Sequence, residues 1–209
     1  CLPINNMDTV MLDDLIGYEL QKKKLVENTQ AFCDGKAANN VLLFGDSGTG
    51  KSTSIKAIVN QFYPQGLRMI EIPKSAVEEL SLIREYLADS PMKFIIYIDD
   101  LSFDSQDNAF TELKAALEGG LSACQPNTLI YATSNRRHLI KENFSDREDD
   151  VNKNDTRQEQ LSLSDRFGLT ITFINPDKKD YLDIVEKIAA DRGLQVDAQR
   201  LDAAAEQWA

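Results

Sequence analysis

The sequence predicts an α/β fold, a three-layer αβα arrangement with a five-stranded parallel sheet. Two observations lead there. Five short apolar runs alternate with stretches of helical period along the chain, the pattern of strands joined by crossover helices. The first of these runs leads directly into a glycine-rich turn that opens a helix, a strand–loop–helix unit. With 209 residues, there is enough chain for one substantial domain with its own core.

The strands are read at VLLF (Val41 to Phe44), RMIEI (Arg68 to Ile72), FIIYI (Phe94 to Ile98), TLIYATS (Thr128 to Ser134) and LTITFI (Leu169 to Ile174). Ser75 followed by Glu78 reads as a capping box, and Val77, Leu80, Ile83 and Leu87 continue at helical spacing until Pro91. Phe110, Leu113, Leu117 and Leu121 form a second core-facing stripe. After Asn175-Pro176-Asp177 the strand pattern ends. Tyr181, Ile184, Val185 and Ile188 then mark an amphipathic helix that stops at Gly193. A further helix is expected behind Asp197 as N-cap, with Val196 and Leu201 as its hydrophobic staple and Trp208 closing its stripe. Between Lys141 and Glu159 the chain is polar and without period, and a mobile loop is expected.

Apolar residues make up 42% and charged residues 27% of the chain, which excludes general disorder and fibrous repeats. No run approaches the roughly 20 apolar residues of a membrane span, and CLPINNMDTV lacks the features of a signal peptide. A cytoplasmic protein with no membrane partner is expected. The 23 Lys+Arg against 34 Asp+Glu give a net charge of −11, so direct nucleic-acid binding is not expected of this chain. Cys1, Cys33 and Cys124 are far apart and His138 is the single histidine, so no metal site of His/Cys spacing can be written and reduced thiols are expected. Both ends read as cut from a longer chain; Cys1 as a lipoprotein terminus is the alternative.

Gly45-Asp46-Ser47-Gly48-Thr49-Gly50-Lys51-Ser52 fits G-x-x-x-x-G-K-[ST], a phosphate loop. Its backbone N–H groups and the positive end of the following helix make an anion cradle. Lys51 supplies a fixed charge for the β- and γ-phosphates and Ser52 a hydroxyl for Mg²⁺; Thr53 completes the ATP-binding set. A carboxylate must finish the metal site. The apolar run ending in Asp99-Asp100 offers one: Asp99 for the Mg²⁺ shell, and Asp100 where a base orients water. The alternative is that one of these acids caps the helix starting near Ser105.

These motifs, with Thr133-Ser134-Asn135 after the fourth strand and Ser164-Asp165-Arg166-Phe167-Gly168 before the fifth, resemble in order and spacing the AAA+ ATPases, a class of P-loop NTPases. Leu15-Ile16-Gly17-Tyr18-Glu19 resembles the segment beside the adenine, which adds Ile16 and Gly17 to the ATP-binding residues. More narrowly, NNVLLFGDSGTGKS, YIDDLSF, ATSNRRHL and LSLSDRFG are similar to a bacterial AAA+ group described only as a domain of unknown function. The resemblance implies three regions: an N-terminal segment and helix over 1–40, the nucleotide-binding core over 41–175, and the start of a truncated helical lid over 176–209. It implies Asn135 as the polar sensor beside the γ-phosphate, and Arg166 as an arginine finger acting in trans on a neighbouring subunit. It further implies ATP and Mg²⁺ as cofactors, a homo-oligomeric ring and an unknown protein client. A turn residue at Asn135 and an ion pair between Arg166 and Asp165 are the plainer readings of those two positions. Arg136, Arg137 and His138 form a short basic patch that either meets phosphate or a subunit, or is a solvated strand exit.

Two departures from the family pattern stand out. The family usually carries Glu after the metal-binding Asp, whereas this chain has Asp100, shorter by about 1.5 Å. Misplacement near 1 Å can cost ~10²-fold in rate, so slow hydrolysis, or a nucleotide-gated module with little hydrolysis, is the alternative expectation. The family's lid arginine would lie beyond Ala209. Asn152-Lys153-Asn154-Asp155 matches the guanine pattern N-K-x-D, but it falls in the polar loop and no D-x-x-G follows the third strand, which argues against GTP. A P-loop small-molecule kinase is the least favoured reading.

Overall fold

A computed structural model describes residues 9–103, 108–118, 126–135, 163–194 and 197–208. Helix α1 (Glu19–Cys33) leads to strand β1 (Val41–Gly45), helix α2 (Lys51–Phe62) and β2 (Leu67–Ile72). Next come a 3₁₀ helix (Lys74–Glu79), α3 (Leu80–Leu87), β3 (Lys93–Ile98), α4 (Asn108–Glu118) and β4 (Thr128–Ser134). A helical turn over 163–166 precedes β5 (Leu169–Phe173), and α5 (Lys178–Asp191) and α6 (Ala198–Trp208) follow. All five expected strands form, in the order β2-β3-β4-β1-β5, and every pairing is parallel.

The alternation of side chains along each strand divides the core in two. Val41, Leu43, Ile95, Tyr97, Leu129, Tyr131, Ile171 and Phe173 face α1 and α2, meeting Leu25, Phe32, Ile55, Ile58, Val59 and Phe62. Leu42, Ile96, Ile98, Ile130 and Ala132 form the other side with Val77, Leu80, Leu101, Phe103, Leu113, Leu163 and Phe167. Both faces are covered, as a parallel sheet requires. Tyr131 is fully buried and keeps its hydroxyl satisfied: it accepts from Asn28 Nδ2 (3.1 Å) and shares a proton with Thr29 Oγ1 (2.7 Å). Burial pushes its pKa up to about 12, against the lowering effect of those two hydrogen bonds.

The registers place the functional strand ends together. Phe44 is level with Ser134, and Ile98 with Ala132. The exits of β1, β3 and β4 therefore open at one edge of the sheet, with β4 between the strand that carries the glycine loop and the strand that carries the acids.

The expected capping box at Ser75 does not form. Pro73 holds the flanking position in extended conformation (φ −69°, ψ 156°), and a 3₁₀ helix starts at Lys74 with Ala76 N–H bonded to Pro73 O. Ser75 is thus already inside a turn with i→i+3 bonds, where it cannot act as an N-cap. Three further helix-end features form. Asp177 Oδ1 accepts from Asp180 N (2.8 Å) at the start of α5, Gly193 lies at φ 67° just past its end, and Asp197 Oδ1 accepts from Arg200 N (3.3 Å). Leu121, Val196, the Trp208 side chain, the helix start near Ser105, the basic patch at 136–138 and the loop over 141–159 with its N-K-x-D lie outside the described residues. Among the described residues no helix is long and apolar enough to cross a membrane.

Candidate functional site

The glycine loop is built from both ends. Gly45 has φ 139°, and a Cβ there would lie 1.7 Å from the carbonyl oxygen of Phe173, so the position admits no side chain. Asp46 N–H donates to that same carbonyl (3.0 Å), and Asn175 N–H donates to Asp46 Oδ2 (3.0 Å). The loop is thereby fastened to the end of β5. Thr49 Oγ1 donates to Asp46 O (2.8 Å), and Gly50, left-handed at φ 83°, is the residue from which α2 begins. The unpaired N–H groups of the first turn of α2 lie at this loop.

Lys51 is buried and donates from Nζ to Gly45 O (3.1 Å) and Asp46 O (2.6 Å). Burial lowers its pKa; the charges of Asp46, Asp100 and Asp99, in decreasing order, act the other way. Its ammonium is the positive centre of a cavity of about 350 Å³ lined by Ser47 to Thr53, Asp99, Asp100, Thr133 and Asn135.

Asp99 Oδ1 accepts three hydroxyl protons, from Thr133 (2.5 Å), Tyr97 (2.6 Å) and Ser52 (2.9 Å). Burial alone would raise its pKa, but these bonds, in that order, and the Asp100 backbone N–H outweigh it and hold the carboxyl below its usual range. The Tyr97 phenol is pushed upward, first by burial and then by its bond to Asp99. Asp100 adopts the left-handed conformation (φ 47°), with its N–H on Thr133 Oγ1 (3.0 Å) and its Oδ1 accepting from Asn135 Nδ2 (2.9 Å). A non-glycine residue at positive φ is uncommon and directs its side chain away from the course of the strand.

A second cavity, about 200 Å³, adjoins the loop between the N-terminal segment and α5. Ile16, Tyr18, Lys22, Gly48 to Gly50, Pro176, Ile184 and Lys187 are among its lining residues. Lys187 Nζ donates to Asp13 O (2.7 Å) and Lys22 Nζ to Leu15 O (2.8 Å), while Tyr18 OH donates to Ile174 O (2.7 Å) with its ring 4.9 Å from that of Phe173. These bonds fasten the N-terminal segment to α5, α1 and the exit of β5.

The structure thus gathers Lys51, Ser52, Thr53, Asp99, Asp100 and Asn135 around one cavity and puts Ile16 at the next. Gly17 is absent from both linings. It turns the chain into α1 at φ 72°, where a Cβ would stand 3.4 Å from Asp180 Oδ2. Gly45 and Asp46 shape the loop from beneath. Arg166 lines neither cavity; it sits on the helical turn anchored by the buried Leu163 and Phe167. Sequence reasoning named Thr133 and Tyr97 only within motifs and gave neither a role. Tyr97 shares a strand face with Asp99 two residues on, a signal that was available, whereas the meeting of Thr133 with Asp99 depends on the β3–β4 register. Lys22 and Lys187 were missed, since nothing in the sequence shows which lysines of a helix turn inward.

The donor set suits a magnesium ion. Ser52 Oγ and Asp99 Oδ1 are hard oxygen donors 2.9 Å apart, one on an ionised carboxylate. Magnesium is commonly held by one or two protein oxygens with phosphate and water filling the remaining positions.

A parallel sheet of order β2-β3-β4-β1-β5, with a glycine loop after β1, acids after β3 and a polar residue after β4, defines an α/β protein of P-loop NTPase-like fold. The chain belongs to the family described as "Protein of unknown function (DUF815)", which matches residues 1–209. No curated protein matches it. Among solved structures it is similar to the Thermotoga maritima RuvB Holliday junction branch migration motor, with TM-score 0.59, 20% identity and coverage of 93% of this chain and 58% of that one. A variant of the same RuvB gives TM-score 0.63 and 22% identity over the same shares. The Aeropyrum pernix ORC1 protein in complex with DNA gives TM-score 0.61 and 15% identity, over 90% of this chain and 52% of that one. The chain therefore spans a little over half the length of these proteins, and at these identities the likeness is one of fold.

Proposed function

We propose that the chain is the nucleotide-binding part of an AAA+ ATPase that binds ATP with Mg²⁺ and hydrolyses it to remodel or regulate a protein client. In this reading residues 41–175 are the ATPase core, 176–209 belong to the lid, and the 200 Å³ cavity takes the adenine. The observation that carries the proposal is the convergence of Lys51, Ser52, Asp99, Asp100 and Asn135 on one cavity at the strand exits. Lys51 and the N–H groups of the loop bind the phosphates. Bound Mg²⁺ would neutralise charge on the β- and γ-phosphates, with Ser52 and Asp99 as its protein ligands. Asp100 takes the proton of the attacking water, and Asn135, bonded to it, orients that water. Arg166, outside both linings, completes the site of a neighbouring copy in a homo-oligomer. The position of Asp100 at positive φ also favours a second reading, a nucleotide-gated module that turns over slowly.

The test is Mg²⁺-dependent release of phosphate from ATP by the protein over a range of concentrations. Turnover that rises with protein concentration and is lost in Lys51→Ala and Arg166→Ala is expected. Tight ATP binding with negligible product selects the slow module. No ATP binding at all overturns both readings.

A further inference from the structure

We propose that Thr133 is a positioning residue that sets the two acids of the site relative to one another, a role that rests on the ATP-hydrolysing reading of the same cavity. The ladder between β3 and β4 ends at Ile98 and Ala132, and one residue on, Thr133 continues the connection between the two strands. Its Oγ1 donates to Asp99 Oδ1 (2.5 Å) and accepts from Asp100 N (3.0 Å), and its carbonyl accepts from Leu101 N (2.7 Å). Three consecutive residues of the acid loop thus end on one buried threonine, 2% exposed.

The direction of each bond is fixed by chemistry. The Asp100 N–H can only donate, so the single hydroxyl proton of Thr133 is left for Asp99. The position therefore requires a side chain that donates and accepts within one atom of Cβ, which serine also offers and valine and alanine do not. Asp100 is held at φ 47°, a conformation that persists only where its surroundings determine it. Among the described residues, its N–H bond to Thr133 is one of two side-chain bonds that do so; the other, from Asn135, acts on its carboxylate. Without the hydroxyl, Asp100 loses the anchor of its backbone and its carboxylate drifts from Asn135. Asp99 loses one of its three hydroxyl donors and keeps Ser52 and Tyr97. Metal binding then weakens modestly, while the water-orienting group is displaced.

The experiment compares Thr133→Val, which keeps the shape, with Thr133→Ser, which keeps the hydroxyl, using ATP and Mg²⁺ as probes. In Thr133→Val, turnover is expected to fall about 10²-fold, the loss associated with misplacement near 1 Å. KM for ATP should stay within about threefold, since the phosphate loop is untouched. Thr133→Ser should return turnover to within about fivefold of the parent. Exchange of the Asp100 amide with solvent deuterium, measured without nucleotide, should speed up at least about 10-fold in the valine variant and return in the serine variant. Unchanged turnover or unchanged exchange in a folded Thr133→Val overturns the inference, as does a serine variant as impaired as the valine one. A parent protein that binds no ATP overturns the proposed function and this role with it, and the exchange measurement, which needs no nucleotide, then shows whether the clamp on Asp100 exists.

Discussion

Asn135 donates its side-chain amide to Asp100 Oδ1 over 2.9 Å, joining the end of β4 to the acid that follows β3. The two residues thereby act as a pair: a carboxylate able to take a proton, and an amide with a further N–H and a carbonyl for a water or a phosphate oxygen. Asn135→Ala is expected to lower turnover by about 10²–10³ while leaving ATP affinity within about threefold, because the amide is engaged most strongly where charge develops. Steady-state kinetics set beside equilibrium ATP binding check this.

Lys51 bears on binding instead. Its ammonium is buried among carbonyls of the loop that would receive phosphate, and Lys51→Ala should weaken ATP binding at least about 10-fold, the scale of a lost charge-assisted hydrogen bond. Titration calorimetry with ATP and Mg²⁺ reads the change.

Arg166 yields a prediction about mixtures. Arg166→Ala alone should lose on the order of 10³-fold in turnover, and Lys51→Ala alone should be inactive. Mixed, the two inactive proteins should regain part of the activity, since an intact site of one meets an intact arginine of the other. A mixture as inactive as its parts rules out action between subunits.

Gly45 is a point of steric exclusion. A methyl group there would overlap the Phe173 carbonyl, 1.7 Å away, so Gly45→Ala should cost at least about 4 kcal/mol or leave no folded protein. Urea denaturation with far-UV circular dichroism measures the loss.

Tyr131 makes stability depend on alkaline pH. Its pKa is raised from 10.0 to about 12 in the folded chain, so its contribution is complete below pH 10 and declines as pH rises through 12. Linkage puts the loss on the order of 3 kcal/mol. Tyr97 shifts in the same direction and adds to it. Tyr131→Phe should flatten part of this slope in denaturation curves taken between pH 9 and about 12.5.

The fold was legible because the strands are buried on both faces, which leaves apolar runs that few other structures produce. The loop from Gly45 to Ser52 was legible for a related reason: its chemistry is local, and the spacing of the residues is itself the mechanism. Thr133 and Tyr97 were hidden because their value lies in meeting Asp99, which strand register decides and composition does not. Ser75 misled for the opposite reason. Its local pattern satisfied the capping rule, but Pro73 started a tighter turn one residue too soon for the rule to apply. Gly17 adjoins Ile16 in the sequence, yet of the two only Ile16 lines the cavity, while Gly17 makes a left-handed turn beside Asp180.

The fastening of the glycine loop to β5 bears on the order in which the parts of the site come together. Gly45 and Asp46 meet Phe173, and the Asp46 carboxylate holds Asn175 N across 129 positions of sequence. On the ribosome the phosphate loop is synthesised early, but its floor arrives only when β5 emerges and docks beside β1. Contacts of such long range form late and slowly. A nascent chain thus lacks the floor of its glycine loop until β5 has docked, and under the proposed function a nucleotide bound to that loop would, by mass action, favour the completed sheet.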